Sequence, residues 1–190
     1  MSNSIVLKKG LDIPVSGAAA PRTIKRIVPD VVAVKPTDFK GFNPRLLVKE
    51  GEKVLCGSPV LADKMNPSIL LSSPVSGTVK EIVRGAKRKL LAVLFEPSWE
   101  QGCVDFGAKD PSALDGQAVK EAILASGLWP SIIQRPYGVL ADPAQTPKAV
   151  FVSAFSTAPL AADSEFVFKD DLAAIQAGVT AISKIAKVHV

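Results

Sequence analysis

LLVKEGEKVLCGSPVLADKMNPSILLSSPVSGTVKEI, residues 46–82, alternates short apolar stretches with turn-forming residues, and its reading decides the fold of the N-terminal half. Val48, Val54, Leu61, Ile69, Leu71 and Val79 are separated by polar or turn residues, the pattern of short half-buried strands rather than of a helix. Glycine or proline punctuates nearly every interval. Gly51, Gly57 and Gly77 are expected to supply positive φ at turns, while Asn66-Pro67 and Ser73-Pro74 exclude helix and favour bends or edge positions.

Such closely spaced strands and turns predict a barrel-sandwich hybrid of the biotinyl/lipoyl type. That fold leaves the chemistry open, because it carries a modified lysine in some proteins and none in others. The segments around it are more specific: KKGLDIPVSGAA at 8–19, RGAKRKLLAV at 84–93, SGLWPSIIQRPYG at 126–138 and AVFVSAFSTAPLAAD at 149–163. With these the chain resembles the A subunit of the sodium-translocating NADH:quinone oxidoreductases (Na+-NQR), and the resemblance spans nearly all of the 190 residues. The barrel segment is more distantly similar to the C subunit of the related ferredoxin-linked respiratory complex.

Composition agrees with a folded chain built on an aliphatic core, at 47% hydrophobic and 6% aromatic residues. The uncharged run Ala149–Ala162 contains Pro159 and falls short of the ~20 apolar residues that span a bilayer. Lys8, Lys9 and Asp12 interrupt any apolar signal core, so a cytoplasmic location is expected. Cys56 and Cys103 stand far apart in sequence, with His189 the one further soft ligand, and they read as two ordinary free thiols rather than a metal or iron–sulfur site. The net charge of +5 is densest at Lys87-Arg88-Lys89, directly before the apolar run Leu90–Phe95, as expected of a solvated turn entering a buried strand. Docking to an acidic protein face or to anionic lipid is the alternative. Without aromatic residues among the basic ones, nucleic acid is not an expected partner.

The chain divides near residue 100. Before it, strands are predicted at 31–34 and 89–95 besides those of the barrel segment. After it, Ser112 or Asp115 can cap a helix over 117–124 that Gly127 ends, with Ala118, Val119, Ala122 and Ile123 as its apolar stripe. Lys148–Val152 reads as a strand buried on both faces of a parallel sheet. A second helix starts at Asp170 or Asp171 with Leu172, Ile175, Val179 and Ile182 recurring at helical spacing, and 187–190 begins another strand. The expected architecture is mixed α+β. It comprises an N-terminal segment at 1–29 packing on the barrel, the barrel-sandwich module at 30–100, and at 101–190 an incomplete Rossmann-like α/β domain, the opening of a longer polypeptide.

Phosphate binding is disfavoured in that domain because Ser153–Pro159, after the first strand, has no glycine for a dinucleotide loop. Neither FMN nor NADH is therefore expected here, and the resemblance assigns NADH oxidation to another subunit. Lys64, in Asp63-Lys64-Met65, sits where lipoyl domains carry their modified lysine, but Asn66-Pro67-Ser68 lengthen the interval to Pro74 and Gly77, so an unmodified turn lysine is expected. Trp129, Arg135, Tyr137 and Phe155 can offer flat apolar walls and donors to a quinone, or pack in the core and at a subunit interface. No catalytic nucleophile, acid–base pair or metal site is nameable. The resemblance implies a peripheral subunit on the cytoplasmic face of the bacterial inner membrane. Its partners would be membrane-spanning flavoprotein subunits, and its role would lie in assembly and quinone-side contacts with ubiquinone or menaquinone. A swinging-arm carrier and the ferredoxin-linked C subunit are the rival readings.

Overall fold

Seven strands make the N-terminal module: β1 (Val32–Val34), β2 (Pro44–Leu46), β3 (Lys53–Val54), β4 (Pro59–Asp63), β5 (Leu70–Ser72), β6 (Gly77–Arg84) and β7 (Leu90–Pro97). The structure is a computed structural model that describes residues 6, 16, 27–156, 158 and 161–190. Nearly all of the predicted 1–29 segment, including the 8–19 motif except Ser16, lies outside the described residues, as do Thr157, Pro159 and Leu160 of the 149–163 motif. One sheet has the order β1-β7-β6-β3 and the other β2-β4-β5, all pairs antiparallel. Register shifts between Val79 and Glu81, between Val83 and Arg84, and between Pro59 and Leu61 bend the strands so that two short sheets close on one core. All six apolar positions that defined the pattern, Val48, Val54, Leu61, Ile69, Leu71 and Val79, are buried, around Val60, Val93 and Phe95 with no exposed surface. The barrel-sandwich expectation therefore holds, with the apolar positions that suggested it forming the core.

Gly51 and Gly57 adopt the positive φ expected of them (81° and 91°), but Gly77 does not. Gly77 is glycine for a different reason: a Cβ there would run into the Glu96 carbonyl and the Pro97 backbone, where β6 and β7 approach most closely. The basic cluster forms the exposed turn between β6 and β7, with Lys87 and Arg88 themselves at positive φ (54° and 60°).

Beyond β7 the chain runs extended to α1 (Gly116–Ala125), then through the hairpin β8 (Ile133–Gln134) and β9 (Val139–Leu140) to β10 (Val150–Phe151), α2 (Ser164–Phe168), α3 (Leu172–Ser183) and β11 (Val188–His189). Of the two caps considered for α1, Asp115 is the one used, accepting from the Ala118 N–H at 2.7 Å; Ser112 belongs to the preceding 3-10 turn, capped by Asp110. The buried stripe of α1 consists of Val119 with half-buried Ala118, Ile123 and Leu124, while Ala122 faces outward. β10 and β11 pair in parallel with α2 and α3 between them, which is the predicted βαβ crossover. α2 was not foreseen, although Asp163 accepting from the Phe166 N–H at 3.2 Å is an ordinary N-cap.

The expectation that β10 is buried on both faces is overturned. Phe151 is 80% exposed, and no described strand or helix covers its outer side; it stacks instead on His189 with ring centroids 5.2 Å apart. In α3 likewise Leu172 and Ile175 are exposed, and only the Val179 to Ile182 end is half-buried, against α1 and the 111–113 turn. There Gly116 lies so close to the Lys184 carbonyl that no Cβ would fit, and Lys184 Nζ donates to the Ser112 carbonyl at 3.0 Å.

Candidate functional site

The α/β segment is seated on the barrel at the end of α1. Gly127 terminates the helix with φ of 73°, and it lies so close to Ser72 of β5 that a Cβ would overlap the serine side chain. Ser72 Oγ donates to the Ser126 carbonyl at 3.2 Å. Two residues on, Trp129 inserts into the barrel's own core cluster, 4% exposed, and its Nε1–H donates to the Ala141 carbonyl at 2.8 Å. A buried indole thus fixes both domains to one apolar centre while its single polar atom is satisfied.

This seating leaves a cleft of about 550 Å³, walled by Leu71, Ser73, Leu128 and Phe106 and, at one end, by Cys56 and Cys103. Its surface is mainly apolar. Lys35 and Asp38 bring charge to it and pair with each other at 3.3 Å. A smaller cavity of about 230 Å³ lies beneath the β8–β9 hairpin against Phe39 and Pro130. The cleft offers apolar walls, serine hydroxyls and two thiols, a set suited to holding an apolar group or a peptide rather than to proton transfer. Among the described residues, no group of three or more His, Cys, Asp or Glu side chains is placed to hold a metal ion.

The four residues considered for quinone contact are not brought into one pocket. Trp129 is in the core with its N–H engaged. Arg135 and Tyr137 lie on the exposed β8–β9 turn, which contains the cis Arg135-Pro136 bond, and Tyr137 is 71% exposed. Phe155, 73% exposed, follows β10. Lys40 Nζ donates to the Tyr137 carbonyl at 3.1 Å, tying this turn to the barrel.

Lys64 is exposed at the tip between β4 and β5, and the neighbouring Asp63 explains the shape of that tip. The Asp63 carboxylate, 3% exposed, accepts three backbone N–H groups: Asn43 at 2.6 Å, Met65 at 2.8 Å and Asn66 at 2.9 Å. In the sequence Asp63 reads only as half of a DK pair. The signal for its role is an aspartate two and three residues before the amides it binds, an Asx turn, ahead of Asn66-Pro67.

Both cysteines are free thiols, as expected, but their positions were not foreseen. Isolated in sequence, they are adjacent in space: Cys56 and Cys103 face each other across a parallel β-bridge. The Cys56 N–H donates to the Gly102 carbonyl at 3.1 Å and the Val104 N–H to the Cys56 carbonyl at 2.8 Å. Burial, then a hydrogen bond to Cys103 and the charge that Cys103 can carry, push the Cys56 thiol above its ordinary pKa. Long sequence separation concealed the pair, since only tertiary folding returns the chain after β7 to the loop after β3.

Comparison with known proteins bears on the two domains in order. Residues 5–98 match the NqrA N-terminal barrel-sandwich hybrid domain, and residues 114–190 match the NqrA second alpha/beta domain. The chain belongs to the NqrA family. It is similar to the A subunit of the Na(+)-translocating NADH-quinone reductase of Pseudomonas aeruginosa strain UCBPP-PA14, 34% identical over 186 residues, covering 97% of this chain and 42% of that protein. The corresponding protein of Tolumonas auensis is 37% identical over 193 residues, with 98% and 43% covered. That of Yersinia pestis is 33% identical over 190 residues, with 98% and 42% covered. The chain therefore spans less than half the length of these relatives.

Proposed function

We propose that the chain forms part of the A subunit of a sodium-translocating NADH:quinone oxidoreductase, on the cytoplasmic face of the membrane, where it serves assembly and quinone-side contacts. The observation that carries this reading is the ordered match of both NqrA domains along one chain. Its partners are the other subunits of the complex, membrane-spanning flavoproteins included. Among the described residues no helix is long and apolar enough to cross a membrane. On this reading the α/β part holds neither FMN nor NADH, since the segment after β10 has no glycine to admit a pyrophosphate to the backbone.

Exposed Arg135, Tyr137 and Phe155 are the side chains available to meet a neighbouring subunit or a quinone, with Trp129 fixing the β8–β9 turn from behind. The test is affinity purification of the full-length protein from gently solubilised native membranes, with mass spectrometry of partners and bait. Recovery with membrane-spanning flavoprotein subunits and at unmodified mass supports the proposal. Recovery with soluble dehydrogenases or carboxylases and a lipoyl or biotinyl adduct on Lys64 refutes it in favour of a swinging-arm carrier. Recovery with a ferredoxin-linked complex refutes it in favour of the C subunit.

A further inference from the structure

We propose that Cys56 and Cys103 are a modification site: a dithiol that closes to a reversible disulfide when a hydroperoxide oxidises it. Directly opposite residues on paired strands project from the same face, at a strand spacing of ~4.8 Å. That spacing lies within the Cα separations of about 4.4–6.8 Å that disulfides accept. The pairing is held from both sides independently of the sulfurs. Ser76 Oγ donates to the Gly102 carbonyl and accepts from the Gly102 N–H at 3.0 Å and the Cys56 N–H at 3.2 Å. Gln101 clasps the same stretch, its Oε1 accepting from the Ser76 N–H at 2.8 Å and its Nε2 donating to the Ser76 and Ser98 carbonyls at 3.1 and 2.6 Å. The two thiols are therefore pre-positioned by backbone and amide hydrogen bonds rather than by each other.

The two cysteines differ as an attacking and a resolving thiol should. Cys103 is exposed, while Cys56 is half-buried and donates its S–H to the Pro74 carbonyl at 3.4 Å. No third ligating side chain stands beside them among the described residues, which favours redox chemistry over a closed zinc site. In the first step the Cys103 thiolate attacks one peroxide oxygen, the O–O bond breaks, hydroxide (or alkoxide) leaves, and the sulfur becomes a sulfenic acid. In the second, Cys56 gives up its proton and its sulfur attacks the Cys103 sulfur, forming S–S and breaking S–O with release of water. Two thiols are oxidised by two electrons, and the peroxide is reduced to two waters, or to an alcohol and a water. A dithiol reductant reverses the bond by exchange. Because both cysteines wall the cleft, the bond would staple the chain after β7 to the loop after β3 and fix that end of the cleft.

The experiment treats the full-length protein with hydrogen peroxide, alkylates the remaining thiols under denaturing conditions, and maps peptides before and after dithiothreitol. The expected result is concerted loss of both alkylation sites, a Cys56–Cys103 linked peptide from monomeric protein, full reversal by the dithiol, and a dimedone-reactive Cys103 in the Cys56→Ser variant. The proposal is overturned if Cys56 stays alkylatable while Cys103 alone proceeds to sulfinic acid. It is equally overturned if the only disulfides are intermolecular and rise with protein concentration, or if both thiols survive peroxide.

Discussion

Replacing Asp63 by alanine removes one buried carboxylate and strands three backbone amides, and the geometry sets the expected cost. The bonds are short, 2.6 to 2.9 Å, and each has a charged acceptor, the class worth about 1.5–3 kcal/mol apiece. Their sum overstates the loss, because Met65 is 84% exposed and water can reach the tip amides once the carboxylate is gone. The Asn43 amide, part-buried on the sheet side, is harder to rehydrate. The expected loss for Asp63→Ala is therefore about 3 kcal/mol, a large share of the ~5–15 kcal/mol that holds an ordinary domain folded. Asp63→Asn should be milder, about 2 kcal/mol, because its oxygen can still serve two amides while its NH₂ opposes the third N–H. Urea unfolding of the full-length protein, with the Trp129 signal taken as the difference from a Trp129→Phe control, measures both, since Trp129 lies in the barrel's core cluster. An Asp63→Ala loss below ~1 kcal/mol would refute the view that this carboxylate organises the β4–β5 tip.

Gly127→Ala should cost about 2–4 kcal/mol, combining left-handed strain with overlap on Ser72; adding Ser72→Ala should recover only part of it, because the Ser72 Cβ and N–H also lie within reach, and a double-mutant cycle in urea reads the coupling. Iodoacetamide pulses across a pH series should show Cys56 labelling rising only above the ordinary thiol range, since its raised pKa keeps it protonated longer. Cys103→Ser, which removes that partner's charge, should move the midpoint down. The same shift makes folding stability from this group fully present below the unfolded thiol pKa and lost as pH rises through the folded one. Tyr137→Ala, at a 71% exposed site, should leave stability within ~0.5 kcal/mol while weakening retention of the membrane subunits severalfold in affinity purification from native membranes.

Much of the local structure was legible because local chemistry dictates it. The six apolar positions at 48–79 read as half-buried strand positions once glycine and proline blocked any helix; all six are buried, Val54, Leu61, Leu71 and Val79 within strands and Val48 and Ile69 in the loops beside them. Asp115 and Gly127 bracket α1 as a capping aspartate and a left-handed glycine must. The parallel pairing of 150–151 with 188–189 across α3 followed from an apolar run of strand length, an acidic helix start and the helical spacing of Leu172, Ile175, Val179 and Ile182, while α2 did not. Positions whose role depends on a distant segment were misread or missed. Gly77 looked like a turn glycine but serves a close approach to Glu96 and Pro97. Phe151 looked doubly buried but lacks a described element over one face.

By itself the sequence determined the strand and helix types, the core-facing residues of the barrel and the family to which the chain belongs, because each is written in spacings of a few residues or in motifs read directly. Only the tertiary structure decided that Trp129 belongs to the barrel's core and that Cys56 meets Cys103. It alone showed that one carboxylate organises the tip bearing Lys64. Two of these join segments remote along the chain, and in the third the Asn43 amide comes from the loop that leads into β2. Chain closure, not local propensity, creates such contacts.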